Sequence, residues 1–384
     1  MGEELVGQVV GVVIGAKDDE VLFRVAEEAF VERGQLLKIR SRGISFFARV
    51  NNVKLKTLLA EEQLSVVAER VERGEPPKVM EEGVRCYKVA RATLVAQVDE
   101  EGFAYRPSSV PNFFDPVERP TLEDLRALRV SDGDVEIGYL RDGHGYVPQP
   151  VTLKGTETFA HHMLVCSVTG GGKTNFGKIL AWNVMRNPLR SYAMVIIDTE
   201  SEYFDGRDPR RMGLVHLPEA NGRLFYASSS VERPGQAVYE VRVNGHRLKR
   251  RIEVHPLEVH VSAITPQDLA ETGYFTEAQE ALLWIARRKL GRRWLETLLT
   301  WDFEDLYERM GRKVHKSTII VTQRKLERIV GDESLFKVGR ARGDLLSAVV
   351  RAVCSGKVVL IDIPAASEVQ ERLLAIIVAR RIFK

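Results

Sequence analysis

The stretch LVCSVTGGGKTNFGKIL, residues 164–180, decides the fold class of this chain. Residues 167–174 fit the phosphate-loop pattern G-x-x-x-x-G-K-[ST], with a serine in place of the first glycine. Glycines allow consecutive backbone N–H groups to turn inward around an anion, and a following helix adds its positive end. We therefore predict a nucleotide-binding loop formed by Ser167, Val168, Thr169, Gly170, Gly171, Gly172, Lys173, Thr174 and Asn175.

The flanks of the loop have the periodicity that such a site requires. The run MLVCSV, residues 163–168, is apolar enough for a buried strand, and apolar residues recur at helical spacing from Phe176 to Val184. This order predicts that Lys173 contacts the β and γ phosphates of ATP and that the hydroxyl of Thr174 binds Mg²⁺. The alternative is a flexible glycine turn without a ligand.

Acidic residues follow the next predicted strand. In YAMVIIDTESEYF, residues 192–204, Asp198 ends an apolar run, and Glu200 and Glu202 come just after it. Ligands bind at the carboxyl ends of the strands in open α/β sheets. We predict that Asp198 is a second ligand of Mg²⁺ and that Asp198 and Glu202 are catalytic partners of Lys173, whereas Glu200 is interpreted as a solvated loop residue.

The pattern of apolar residues divides the chain into three parts. Short Val- and Ile-rich segments separated by turns predict an N-terminal β-barrel over residues 1–108. Prolines and a lack of periodicity mark residues 109–155 as a connector with entry strands. Apolar strands that alternate with longer helical segments predict an α/β domain with a mostly parallel sheet over 156–384, including a helical insertion at about 265–345.

Within this domain the sequence predicts individual strands and helix starts. The expected buried strands are HHMLVCSV, YAMVIIDT, LEVHVSAI and KVVLIDIP. Thr265 before Pro266, and Thr276 with Gln279, have the spacing of helix N-caps.

The composition of the chain says more about its cellular location than about its binding partners. Lys and Arg number 56 against 53 Asp and Glu, so the net charge of +3 identifies no ligand. Three cysteines, an odd number in apolar surroundings, favour buried thiols in a reducing compartment over disulfides. No secretory pattern is present, and no apolar run approaches the roughly 20 residues that span a bilayer. We expect a cytoplasmic protein without membrane insertion.

A basic segment follows the acidic motif. VYEVRVNGHRLKRRIEVHPLEVHV predicts a β-hairpin that turns at Asn244-Gly245, and its return strand carries Lys249, Arg250 and Arg251. These cations are candidates for contacts with DNA phosphates that have little sequence preference. The alternative is an edge strand whose charges prevent aggregation.

These motifs resemble those of the HerA branch of the HerA–FtsK ATPases. The loop CSVTGGGKTNF is preceded by two histidines, and IIDTESEY is similar to the family motif Asp-Pro-His-Gly-Glu-Tyr, with Asp198, Glu202 and Tyr203 matching and residues 199–201 differing. The order of barrel, entry segment and helical insertion is also similar. The resemblance implies a RecA-like P-loop core in a homo-hexameric motor. Such a motor translocates double-stranded DNA and works with a NurA-type nuclease in DNA-end resection and repair.

One expected feature of such ATPases is not found, namely an acidic strand whose glutamate activates water. The segment KVVLIDIPAAS ends its strand at Asp362, and no glutamate is adjacent. The resemblance implies that the true acidic strand lies beyond Lys384, so we expect a C-terminally shortened HerA. Two alternatives stay open. One is a nucleotide-binding assembly or docking module with little hydrolysis, and the other is a conjugation- or secretion-type ATPase.

Overall fold

The computed structural model describes residues 8–76, 85–208, 211–311, 314–330, 335–364 and 366–384. The chain forms two compact units, Met1–His162 and Met163–Lys384. The first unit is built around antiparallel strands, and the second combines a sheet with helices.

The first unit contains a closed six-stranded barrel with the order β2-β1-β7-β3-β4-β5, in which β5 pairs back to β2. Its strands are β1 Val9–Lys17, β2 Glu20–Val25, β3 Leu36–Ser41, β4 Ile44–Thr57, β5 Cys86–Val98 and β7 Pro116–Glu118, with β6 Ala104–Tyr105 added beside β5. Every second residue of a strand points inward. In β2, Val21, Phe23 and Val25 are buried, and the barrel predicted from such alternation is confirmed.

The stretch that the sequence assigned to a connector contributes to this unit. Strand β7 pairs with β1 and β3 and closes the barrel, so the barrel extends beyond residue 108. A strand of only three residues that begins with proline gives no periodic signal, which is why the pattern did not reveal it. The expected entry strands form the hairpin β8 Val135–Asp142 and β9 Gly145–Leu153. The α-helices in the described part of this unit are α1 Glu61–Glu72, α2 Leu122–Ala127 and α3 Gly155–Thr158.

The second unit has a five-stranded sheet with the order β10-β16-β11-β13-β12. The strands are β10 Met194–Asp198, β11 Leu224–Ser228, β12 Gly235–Val243, β13 His246–Pro256 and β16 Val358–Asp362. All neighbours are parallel except β12, which pairs antiparallel with β13. Strand β16 is buried along its whole length, as expected for an apolar run covered on both faces.

Two of the predicted strands were wrong. The segment LEVHVSAI contributes only β14 Val259–His260, which pairs with β15 Phe336–Lys337 outside the main sheet. The apolar run before the glycine loop forms no strand, and Leu164 and Val168 are 89% and 81% exposed. A strand needs a hydrogen-bonding neighbour, and none of the described strands pairs with residues 163–168.

Helices dominate residues 265–345, as predicted. The described α-helices of the second unit are α4 Lys173–Arg186, α5 Pro266–Glu271, α6 Glu277–Leu290, α7 Trp294–Thr300, α8 Phe303–Arg309, α9 Lys316–Val330, α10 Leu345–Cys354 and α11 Glu368–Ile382. Both predicted caps are confirmed: the hydroxyl of Thr265 accepts the N–H of Asp268 at 3.3 Å, and Gln279 Oε1 accepts the N–H of Thr276 at 3.0 Å.

The cysteines differ from the expectation in part. Cys86, Cys166 and Cys354 form no disulfide, but Cys166 and Cys354 are exposed rather than buried. An apolar neighbourhood in sequence does not fix burial at loop and helix ends. Among the described residues, no helix combines the length and apolarity needed to cross a bilayer.

A buried carboxylate joins β14 to the segment before α10, and it makes stability depend on pH. Glu258, whose side chain is 4% exposed, accepts the N–H of Arg342 at 2.7 Å and its Nε–H at 2.8 Å. Burial raises the pKa of Glu258, but the hydrogen bonds and charge of Arg342 outweigh it, so the pKa lies below its ordinary value of 4.5. This contribution is therefore complete above pH 4.5 and is lost as the pH falls through the lower folded-state pKa.

We expect Glu258→Gln to lower the free energy of unfolding at pH 7 by about 1.5–3 kcal/mol, the usual range for hydrogen bonds to a charged group. The difference from the wild type should shrink as the pH falls below 4.5. Urea unfolding followed by tryptophan fluorescence measures it, since all four tryptophans lie in the second unit. The exposed Glu327→Gln is the control, and a pH-independent difference for Glu258→Gln would contradict the assignment.

Candidate nucleotide site

The glycine loop has the backbone conformation that the motif predicts. Gly170 and Gly172 have φ angles of +79° and +91°, a region that other residues rarely adopt. A Cβ atom at either position would meet no atom within 4 Å, so the space beside both glycines is open. Gly172 is also the N-cap of α4. The loop therefore leads directly into the positive end of a helix, with room for a phosphate at the backbone.

Ser167 fits the loop without backbone strain. Among the described residues, those with positive φ do not include Ser167, so a serine has no conformational cost in place of the first glycine of the motif. The Ser167 side chain is also the reason that position 171 must be a glycine. A Cβ at Gly171 would lie 2.6 Å from Ser167 Oγ, too close for any side chain.

The two polar residues that begin α4 make different contacts. Lys173 Nζ donates to the carbonyl oxygen of Ser167 at 2.7 Å and therefore lies against its own loop. Thr174 Oγ1 donates to Glu202 Oε2 at 2.9 Å. The structure thus brings two predicted site residues into contact, because the first turn of α4 and the acidic segment after β10 meet at Thr174 and Glu202.

Asp198 lies deeper in the protein than Glu202, and its carboxylate bonds to the backbone of the acidic segment. It ends β10 and is 4% exposed, and its carboxylate accepts the N–H groups of Glu200 at 3.2 Å and Tyr203 at 2.8 Å. These bonds shape the acidic segment, and the direct contact to Thr174 comes from Glu202. Glu200 is exposed and lies 3.6 Å from Arg207, as expected for a solvated loop residue.

The comparisons with known proteins agree with this geometry. The family described as "Helicase HerA, central domain" matches residues 135–382, which cover both the glycine loop and the acidic segment. The chain belongs to the HerA helicase family. A probable helicase of Methanocaldococcus jannaschii is 29% identical over 103 residues, and this match covers 26% of the chain. It spans only 19% of that relative's own length.

Sequence reasoning missed two cations that this HerA-family chain places near Glu202. Arg211 Nη1 lies 3.5 Å from Glu202 Oε1, and Lys178 Nζ donates to the carbonyl oxygen of Met212 at 3.0 Å. Burial lowers the pKa of Lys178, against the opposing effect of the Glu202 and Asp198 carboxylates. A signal was available, since Thr174 and Lys178 are four residues apart on one helix face.

Asp362 lies beside Asp198 at the same end of the sheet, because β10 and β16 pair in register there. Its two carboxylate oxygens accept the hydroxyls of Ser201 and Tyr226, each at 2.7 Å. Burial raises the pKa of Tyr226, and the Asp362 carboxylate adds to this rise. Asp362 therefore holds the acidic segment of the HerA-family site against the sheet.

The oxygen atoms at Thr174 and Glu202 are of the type that Mg²⁺ prefers. No cluster of three or more His, Cys, Asp or Glu side chains suitable for a metal occurs in the described ranges. The Thr174 hydroxyl oxygen and Glu202 Oε2 are hard oxygen donors 2.9 Å apart. Mg²⁺ commonly takes one or two such groups and completes its shell with phosphate oxygens and water.

Tyr203 packs against α4 at a glycine. A Cβ at Gly177 would lie 2.3 Å from the Tyr203 hydroxyl oxygen and 3.1 Å from two ring carbons. The pattern of the sequence did not identify Gly177, because a glycine inside a helix has no distinct signal of its own.

We expect Gly177→Ala to displace Tyr203 and to lower the free energy of unfolding by about 1–3 kcal/mol, the usual cost of overpacking. An alanine inside a helix would otherwise stabilise it by about 1 kcal/mol. Urea unfolding followed by tryptophan fluorescence measures the change. In a Tyr203→Phe background, which lacks the clashing oxygen, the cost should be smaller; an equal cost in both backgrounds would contradict the contact.

The predicted basic hairpin is present, but its cations divide between two faces. β12 pairs with residues 246–254 of β13, with Asn244 and Gly245 at the turn. Lys249 and Arg251 are exposed. Arg250 is 7% exposed and donates to the carbonyl oxygens of Leu217 and His216 at 3.1 and 3.2 Å. The assignment of Arg250 to DNA contacts was therefore wrong, since successive residues of a strand point to opposite faces.

Proposed function

We propose that this chain is the ATPase subunit of a HerA-type motor that translocates or unwinds double-stranded DNA. One observation carries the proposal. The glycine loop leads into α4 with Lys173 and Thr174 at its start, and Thr174 Oγ1 is bonded to Glu202 of the acidic segment at 2.9 Å. Membership of the HerA helicase family supports the nucleic acid substrate.

ATP and Mg²⁺ are the proposed ligands. The backbone N–H groups of residues 170–174 and the Lys173 ammonium would hold the phosphates, while Thr174, Glu202 and Asp198 would surround the cation. Bound Mg²⁺ would neutralise charge on the phosphate oxygens. The parallel strands β10, β16, β11 and β13, with acidic residues at the carboxyl ends of β10 and β16, support a RecA-like arrangement of this core.

The wider setting of the motor is also a proposal. It comprises a homo-hexamer in the cytoplasm, a NurA-type nuclease partner, and DNA-end resection in repair. The family resemblance supports each of these, and the barrel of the first unit offers a separate module for a partner.

A second function is a nucleotide-binding docking module with little hydrolysis. The carboxylates of Asp198 and Asp362 each accept two hydrogen bonds within the protein. Glu202 shares its oxygens between Thr174 and Arg211. These bonds would compete with the activation of a water molecule, which the motor needs for hydrolysis and the docking module does not. They favour a chain that binds ATP more readily than it hydrolyses it.

ATP hydrolysis with and without duplex DNA separates the two functions. A motor should be stimulated by the duplex, and Lys173→Ala should abolish the stimulated rate. A docking module should bind ATP with a rate that duplex DNA does not change. Absence of ATP binding in the wild-type chain would contradict both.

A further inference from the structure

The β12–β13 hairpin extends beyond the parallel sheet as a two-stranded arm. β13 pairs with β11 only over residues 253–256, whereas it pairs with β12 from residue 246 to 254. Asn244 and Gly245 have φ angles of +49° and +82°, as a tight type I′ turn requires. The arm therefore holds a fixed register, which sets the face to which each side chain points.

The inner face of the arm packs on the core of the second unit. Tyr239, Val241 and Val243 contact this core, and Ile252 is fully buried. Arg250 lies on the same face and bonds to the backbone near residues 216–217. Its guanidinium thus anchors the arm and is not available to a ligand.

The outer face carries the remaining cations. Arg242 lies opposite Arg247, Glu240 opposite Lys249, and Val238 opposite Arg251. All six side chains are exposed. Lys249 Nζ and Glu240 Oε1 are 3.8 Å apart, with 74% and 61% of the two side chains exposed. Such a surface pair contributes little to stability. The four cations outnumber the two carboxylates of this face, Glu240 and Glu253, and Glu253 is bonded to Lys357, so the face is net positive.

Protection of a sheet edge does not by itself account for the distribution of these charges. Protective charges would be expected on both strands of the arm, because residues 246–252 of β13 pair with β12 alone among the described strands. The cations are instead concentrated on β13, which carries Arg247, Lys249 and Arg251 against Arg242 on β12. The outer face of β12 even carries an exposed valine, Val238, at 58% exposure.

We propose that the outer face of the β12–β13 arm binds the phosphate backbone of duplex DNA through Arg242, Arg247, Lys249 and Arg251. This inference rests on the proposed DNA motor and names its contact surface. A two-stranded ribbon is narrow enough to enter the major groove, and cations on alternate residues of a strand are about 7 Å apart.

Duplex DNA fits this face better than single strands do. Binding of single-stranded nucleic acid relies on aromatic side chains that stack on bases. The aromatic residue of the arm, Tyr239, faces the core, and the outer positions from 236 to 253 carry no aromatic side chain. The face therefore offers charge without a stacking surface, and we expect binding without base preference.

The test measures the affinity of the full chain for two unrelated duplexes by fluorescence anisotropy over a series of NaCl concentrations. Arg247→Gln, Lys249→Gln and Arg251→Gln combined should weaken binding by about tenfold or more and reduce the log–log salt slope by about 3. The control combines Arg288→Gln, Arg324→Gln and Arg328→Gln, which removes the same charge from exposed helix positions. A charge-conserving pair, Arg247→Lys with Arg251→Lys, should retain the wild-type slope.

MgATP binding, measured on the same variants, distinguishes the arm from the nucleotide site. Weaker DNA binding with intact ATP binding in the arm variant supports the inference. Equal weakening in the control, or tighter binding to single strands than to duplex, would overturn it. Binding of poly-L-glutamate but not of duplex by the wild type would also overturn it, in favour of an acidic protein partner. If the wild-type chain does not bind ATP, the proposed function is contradicted, but the inference that the arm binds DNA is not.

Discussion

Replacing Lys173 by alanine is expected to reduce the rate of ATP hydrolysis by about 10²–10³-fold, the usual effect of removing one group that stabilises transition-state charge. The Lys173 ammonium lies 2.7 Å from the Ser167 carbonyl oxygen, within the loop that would receive the phosphates. A phosphate offers it a stronger, charge-assisted bond than a neutral carbonyl does. Steady-state phosphate release at saturating MgATP measures the rate.

The matched control is Arg288→Ala, which removes a cation from an exposed position on α6. It should leave the hydrolysis rate unchanged. Asp362→Asn is informative in the same assay, because the structure gives Asp362 a positioning role through Ser201 and Tyr226. Hydrolysis that survives Lys173→Ala would show that the glycine loop is not the catalytic phosphate site.

Replacing Arg380 by alanine is expected to lower the free energy of unfolding of the second unit by about 3–5 kcal/mol, because it leaves a buried carboxylate without its partner. Arg380 of α11 binds both oxygens of Asp268 in α5, with Nε–Oδ1 at 2.6 Å and Nη2–Oδ2 at 2.8 Å. It also donates to the carbonyl oxygen of Ala263 at 2.8 Å. Asp268 is 0% exposed, so the loss of Arg380 leaves its charge largely desolvated and without a cationic partner.

The control lies on the same helix. Arg372 pairs with Glu368 at the surface, where both side chains are more than half exposed. Arg372→Ala should therefore cost less than about 1 kcal/mol. Urea unfolding, followed by tryptophan fluorescence, measures both variants. Similar decreases in the free energy of unfolding for Arg380→Ala and Arg372→Ala would contradict the large stabilisation assigned to the buried pair.

Local patterns predicted much of this fold. Alternation indicated the barrel, and the caps at Thr265 and Thr276 follow from spacing over three residues. The glycine loop was predictable for the same reason, since positive φ at Gly170 and Gly172 is a local requirement. In each case the physical cause lies within a few residues of the chain.

Features that depend on contacts between residues far apart in the sequence could not be predicted from local patterns. Residues 163–168 have the composition of a strand, but pairing requires a neighbour that composition does not specify. Asp198 and Glu202 are both acidic and close in sequence, yet only Glu202 reaches Thr174, because backbone N–H groups hold Asp198. Arg250 looks like its neighbours in sequence, but the register of β13 turns it inward.

Hydrogen exchange of the loop on addition of MgADP tests the central claim most directly. If residues 167–175 hold the phosphates, their backbone amides should exchange more slowly in the complex, while those of the distant helix α9 should not change. Lys173→Ala should remove this protection at the same nucleotide concentration. Unchanged exchange of the loop at saturating nucleotide would contradict the account.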